Sequence, residues 1–277
     1  GLGDVYKRQN QEKFMKDIPA ISNIKLRLSY GVTGNQSIAY AAPLAIMNHV
    51  RSYSGGAVTH GMVNGKLANP NLGWESTATY NAGLDLGFID NRFRVTMNVY
   101  QRTTKDMLMN FGLPLSSGYG SIPYNMGKMT NKGFEFSLNS HNLTGEFSWD
   151  TDFNISFNKN KLTKLSLQKV YTAASSAEVV KENIVRNEPG RPLGGFYGYI
   201  SDGVDPETGN LIYRDLNEDG KISTSDRTYI GDPNPDFIYG LTNTFTWKDL
   251  SLSIFIQGSY GNDIFNVSRM ETEGMYD

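Results

Sequence analysis

Hydrophobic and polar residues alternate strictly along a series of long stretches. From Lys25 onward, Leu26, Leu28, Tyr30 and Val32 fall on one face of an extended chain, and Lys25, Arg27, Ser29, Gly31 and Thr33 fall on the other. The same period of two recurs at Ala78, Tyr80, Ala82, Leu84, Leu86 and Phe88, and at Phe93, Val95, Met97 and Val99 against Arg92, Arg94, Thr96, Asn98 and Arg102. Phe134, Phe136 and Leu138 oppose Glu135, Ser137 and Asn139; Phe147, Trp149, Phe153, Ile155 and Phe157 oppose Ser148, Asp150, Asp152, Asn154 and Ser156, with Thr151 weak on the apolar side. Tyr239, Leu241, Phe245 and Trp247 form another apolar face, interrupted by Asn243, and Leu250, Leu252, Ile254 and Ile256 form the last, against Ser251, Ser253 and Gln257. Each run is about 10 to 13 residues, longer than the ~5 to 6 of an ordinary strand and close to the ~9 to 11 that cross a bilayer at a tilt.

The connections alternate too. Asp90-Asn91, the Asn142 to Gly145 stretch and Lys248-Asp249 are tight turns. Between them lie long connections over 35–73, 105–130 and 159–236, and an open stretch after Gly261. A soluble sandwich has no reason to gather its short turns at one end, whereas an outer-membrane barrel has short periplasmic turns and long extracellular loops. The expected fold is therefore all-β: an antiparallel transmembrane barrel fragment, an open curved sheet of about seven to ten long strands. Phe88, Phe93, Phe147, Trp149, Trp247 and Tyr239 fall near strand ends, where aromatic rings favour the headgroup level. Arg94, Asn98, Glu135, Asn139, Asp152 and Asn154 would face a wet lumen, and the long connections would build its mouth.

Composition narrows the function classes. The 277 residues carry 26 Lys+Arg against 28 Asp+Glu, so no net field draws the chain to nucleic acid. No cysteine is present, which removes thiol catalysis, disulfides and cysteine metal sites. No stretch approaches the ~18 apolar residues of a spanning helix, but a barrel keeps its hydropathy low by alternating. Residues 1–9 join no downstream pattern and read as an appended, non-native segment, and both ends look cut, so 10–277 is expected to be an internal piece of a barrel domain.

One motif carries metal-ligand spacing. Asp215, Asn217 and Asp219 at positions one, three and five, Gly220 at six, the Lys221 carbonyl at seven and Asp226 at twelve match a calcium loop, with Asp where a helix-hand loop has Glu. Such a calcium would be structural; the alternative is an Asx-rich turn without an ion. Asp150 and Asp152 share a strand face but read as lumen residues, and His49, His60 and His141 are scattered singly. Gly194-Gly195-Phe196-Tyr197-Gly198-Tyr199 could stack on sugar rings, or pack on itself; Tyr40, Tyr53, Tyr119, Tyr124 and Tyr171 in other loops invite the same thought. No convergent acid pair for glycan cleavage is evident, so no enzyme activity and no catalytic cofactor are expected.

Several blocks taken together, among them KLRLSYGVTGNQSI, NPNLGWESTATYNAGLDLGF, GRPLGGFYGY and DRTYIGDPNPDFIYGLTNTFTW, resemble the C-terminal half of SusC/RagA-type TonB-linked outer-membrane transporters of Bacteroidota. The resemblance runs in order from about Ile24 to Met270. It implies a barrel of about 22 strands in the outer membrane. It further implies an N-terminal plug, energy supplied through the TonB complex, a SusD-like surface lipoprotein as partner, and import of glycans or peptides. The rival is a secreted, calcium-stabilised β-sandwich that binds carbohydrate. The two differ in one observable: the apolar faces point outward on a single curved sheet in the first, and inward between two sheets in the second.

Overall fold

The structure, a computed structural model, describes residues 3–8, 20–35, 46–54, 57–167, 170–174 and 183–273. In chain order the strands are β1 (Gly3–Arg8), β2 (Ile21–Asn35), β3 (Ile46–Ser54), β4 (Ala57–Lys66), β5 (Glu75–Phe88), β6 (Phe93–Gly112), β7 (Ser121–Leu143), β8 (Phe147–Leu165), β9 (Tyr171–Ala174) and β10 (Asn183–Asn187). They continue with β11 (Phe196–Gly198), β12 (Ser201–Val204), β13 (Leu211–Tyr213), β14 (Thr228–Gly231), β15 (Phe237–Trp247) and β16 (Leu250–Tyr260), followed by one short helix, α1 (Val267–Glu273).

The alternating runs become one antiparallel sheet of eight strands in the order β1-β2-β5-β6-β7-β8-β15-β16. Register follows the pleat, so apolar residues line up row by row across it. Leu28, Ala82, Val99, Phe134 and Phe157 share one row, and Leu26, Leu84, Met97, Phe136, Ile155 and Tyr239 share the next. β1 pairs with β2 from Gly3↔Tyr30 to Arg8↔Lys25. This backbone pairing is indifferent to where the segment comes from, because a sheet edge offers unpaired groups to any extended chain.

The apolar faces are not sealed. Leu84, Val95 and Phe136 are only half-buried, and Ile254 is exposed. Leu250, Leu252 and Ile256 are 50–68% exposed. Among the described residues the only buried hydrophobic side chains are Met126 and Leu162, both at the far ends of β7 and β8. Among the described residues no second sheet covers the face, and the sandwich reading fails on that geometry. The sheet is instead the open wall of a β-barrel whose greasy side meets hydrocarbon.

The tight turns stand where expected, between β5 and β6, β7 and β8, and β15 and β16. Ile89, Asp90, Asn91 and Lys248 take positive φ there, from 51° to 60°, a conformation Asn and Asp tolerate better than a branched side chain does. Two expected loops are largely strand among the described residues, that over 35–73 through the β3-β4 hairpin and that over 105–130 through lengthened wall strands. β6 and β7 run past the membrane span to Gly112 and from Ser121, with register shifts around Met107 and a positive φ of 56° at Asp106. Bulges of this kind let a pair keep its ladder while bending and twisting. The connection over 159–236 contains a small sheet ordered β14-β11-β10-β9 and the β12-β13 hairpin.

Candidate functional site: the lumen wall and its mouth

The polar face of the sheet is a ladder of charge-assisted pairs. Arg27 donates through Nη2 to Asp85 Oδ1 at 2.9 Å and to Asn98 Oδ1 at 3.0 Å, and Thr96 Oγ1 donates to the same Asp85 oxygen at 3.1 Å. This meeting happens directly over Gly83, where a Cβ would come within 2.6 Å of Asn98 Oδ1. Tyr100 lies over Gly133 in the same manner and donates its hydroxyl to Asn158 at 3.3 Å. Asn139 donates to Asp152, and Asp150 meets His141 Nδ1 at 2.5 Å, so the two aspartates of this strand face each have their own cross-strand partner. Arg94, Asn98, Glu135, Asn139, Asp152 and Asn154 all lie on this face, in the rows Arg94↔Asn139↔Asp152, Asn98↔Glu135 and Asn154↔Ser137. β16 adds a residue the alternation did not predict there, since Phe255, 60% exposed, pairs with Thr242 on the polar side.

Asparagines fasten the mouth to the wall. Asn69 donates to the Pro123 carbonyl at 2.8 Å, and Asn125 both accepts from Gly73 N–H at 2.7 Å and donates to its carbonyl at 2.9 Å. The second strap is lumenal: Asn160 accepts from Leu193 N–H and donates to Asn234, which in turn donates to the Leu193 carbonyl. Leu162 then exchanges backbone bonds with Arg191 and Gly190, and its side chain is sealed beneath them. Hence the excursion over 183–231 folds down on the inner side of the β8 extension.

Within that excursion the aromatic rings are already occupied. The Arg186 guanidinium lies 4.4 Å from the Tyr197 centroid, Arg227 lies 5.3 Å from it, and Arg191 lies 4.4 Å from Tyr229. Glu188 pairs with Arg186 at 3.2 Å and with Arg191 at 3.6 Å. Burial pushes the Tyr229 phenol up to about 12, with the Glu188 carboxylate adding to the effect. The Gly-aromatic run therefore packs on its own arginines, not as an open sugar platform. Tyr53 is exposed and Tyr119 and Tyr124 half-buried, each in a separate place; Tyr40 and the Tyr171 side chain lie outside the described residues.

The calcium-spaced loop is shaped by hydrogen bonds. Asp226 is fully buried and accepts from Leu216 N–H at 2.9 Å and Ser223 N–H at 2.7 Å, closing a capping box over Thr224–Asp226. The Ser223 bond, followed by others from Leu216 and Asn217, holds its carboxyl below the usual range against the opposing effect of burial. Asp215 accepts from Gly220 N–H at 2.7 Å, Asn217 from Asp219 N–H at 3.2 Å, and Asp219 from Lys221 N–H at 2.9 Å. Asp215 Oδ1 is enclosed without a hydrogen-bond partner. Among the described residues no three His, Cys, Asp or Glu side chains converge on a metal-sized space. His49 and His60, separate in sequence, come to 5.1 Å across the β3-β4 hairpin.

The family model described as TonB dependent receptor-like, beta-barrel matches residues 6–270. The chain belongs to this family. It is 36% identical over 94% of its length to TonB-dependent receptor P3 of Formosa agariphila, and 30% identical over 96% to TonB-dependent receptor SusC of Bacteroides thetaiotaomicron. In each case it spans 28% of the relative's length. Its fold superposes on a chain of the RagAB peptide transporter with a TM-score of 0.81 at 26% identity, covering 94% of this chain and 29% of that one. A TonB-dependent receptor barrel of the SusC/RagA kind is thus both the sequence and the structural relative.

Proposed function

We propose that this chain is part of the wall and mouth of a TonB-energised outer-membrane importer. The observation that carries the reading is the two-sidedness of one uncovered sheet: rows of exposed apolar side chains on one face, and the Arg27–Asp85–Thr96–Asn98 network with its neighbours on the other. Family membership supplies the energy source, and the tight turns then face the periplasm. The mouth, strapped by Asn69, Asn125 and Asn160, receives glycan or peptide fragments delivered by a SusD-like surface lipoprotein, a role supported by the likeness to SusC and to the RagAB peptide transporter. Deleting the full-length receptor gene in its host is expected to abolish growth on one polymer class, oligosaccharide or oligopeptide, and a tagged receptor is expected to co-purify a surface lipoprotein. Unchanged growth and uptake on both classes would overturn the proposal.

The calcium reading of Asp215, Asn217, Asp219, the Lys221 carbonyl and Asp226 belongs to the same proposal, favoured by the enclosed, unpartnered Asp215 Oδ1. An ion there would share Asp226 with the two backbone N–H groups it already serves. Asp219→Ala is expected to lower the melting temperature only when calcium is present. An equal loss in chelator would leave the loop as an Asx turn.

A further inference from the structure

Above the apolar band, at the end of the sheet away from the tight turns, the outward face becomes basic. Register pairs Lys132 with Lys159, Thr130 with Lys161 and Lys128 with Lys164. These positions continue the outward row of Phe134 and Phe157 and lie opposite in pleat to Asn160 and Leu162, which hold the excursion on the inner side. Lys132, Lys159, Lys161 and Lys164 are exposed. Like charges directly opposite on neighbouring strands repel, and none of the ion pairs among the described residues involves these lysines. At the other rim the cations are engaged: Arg92 donates to the carbonyls of His141 and Asn142, and Lys248 lies 5.2 Å over Trp247. A sheet that places uncompensated lysines immediately beyond its hydrocarbon band holds them where lipid headgroups lie.

Beside the lysines the outer wall is notched. Ala82 is the small member of the row between Leu28 and Val99, so the surface dips there, and the Tyr30 and Tyr80 rings close the upper edge with centroids 4.8 Å apart. The resulting shallow cleft of about 590 Å³ has Gln101 and Lys132 at its rim. An apolar notch that ends at a lysine matches an acyl chain that ends at an anionic headgroup. We propose that this face binds a phosphorylated glycolipid of the outer leaflet, its phosphates at Lys132, Lys159 and Lys161 and one acyl chain in the Tyr30–Tyr80–Ala82 notch. The site rests on the orientation given under the proposed function, and it is separate from the lumen and from substrate.

The test uses the full-length receptor that contains this segment, purified from outer membranes and placed in phosphatidylcholine nanodiscs. It is titrated with phosphorylated lipid A and with its dephosphorylated counterpart. The receptor is expected to prefer the phosphorylated form by at least about tenfold, because lysines near an anionic surface attract its phosphates. Lys132→Gln/Lys159→Gln/Lys161→Gln together should erase the preference, while Lys248→Gln at the opposite rim should keep it. A heat-dependent gel shift confirms that each variant is a folded barrel, which the triple change favours by removing repulsion. Equal binding of the two lipids, or a preference that survives the triple change, would show lysines that only snorkel into water and would overturn the site. A receptor that forms no heat-modifiable barrel in the outer membrane would overturn the importer reading as well, a result distinguishable from the first two.

Discussion

The wall and the excursion are stabilised in opposite ways. In the wall formed by β2, β5 to β8, β15 and β16, side chains on the apolar face stay exposed and cohesion comes from backbone ladders and cross-strand rows; the dry phase is supplied from outside by lipid. The excursion over 183–231 carries its own interior, with buried Asp226 and Asn187 and arginines laid over tyrosines, and it is bonded to the wall at the sealed Leu162. A strand that borrows its core from the bilayer needs only the right residue type at every second position. A loop in water must instead satisfy each buried polar group by a named partner.

That contrast can be broken most forcefully in the wall. Val95→Arg places a charge on the lipid face and is expected to cost about 2–4 kcal/mol, whereas Ser137→Arg, on the neighbouring strand and facing the lumen, should change stability by no more than about 0.5 kcal/mol. Denaturant titration of the folded gel band of the full-length receptor in detergent would compare them, and similar losses would erase the distinction between faces. Next in size is Arg186→Ala in the excursion, which removes the stack on Tyr197 and the pair with Glu188. A loss of about 1 kcal/mol is expected, read as faster amide exchange confined to 183–198 while the wall strands keep their protection.

Smaller again is the acid response of Asp226. Its folded-state carboxyl titrates below the ordinary Asp value of about 3.9, so its contribution is complete above that value and is lost as pH falls through the lowered one. Protease nicking between 215 and 226 should therefore rise only below about pH 4, and Asp226→Asn should flatten the profile. The smallest effect is expected at Asn243, which accepts from Trp149 Nε1 at 2.9 Å and Thr151 Oγ1 at 2.7 Å within the outward face. Asn243→Leu should cost only about 0.6 kcal/mol, the typical worth of a polar contact in a membrane protein, measured in the same titration.

What was legible in the sequence follows the same division. The wall strands β2, β5 to β8, β15 and β16, their faces and the three tight turns could be read because a buried-or-lipid face imposes period two over ten or more residues, whereas β1 and the β3-β4 hairpin were not read. Thr151 and Asn243, which look like faults in that pattern, are register partners that satisfy each other. Phe255 and the extension of β6 and β7 past the membrane were not legible: a single apolar residue on a polar face breaks no rule, and the bulge near Asp106 shifts the alternation where a reader expects a loop to begin. The small strands of the excursion, three to five residues each, are too short to show a period. The calcium spacing of Asp215 to Asp226 was visible, but not that Asp226 serves backbone N–H groups, since hydrogen-bond direction leaves no mark on residue order. Nor could the diagonal contact of the His49 and His60 rings be found without the β3-β4 register.

The most direct measurement is spin-label accessibility along β6 of the full-length receptor in lipid. Labels at Val95, Met97 and Val99 should collide with dissolved oxygen and be shielded from a water-soluble nickel complex, with labels at Arg94, Thr96 and Asn98 showing the reverse, residue by residue. Protection of the first set from both probes, as in a sealed protein interior, would contradict the barrel wall.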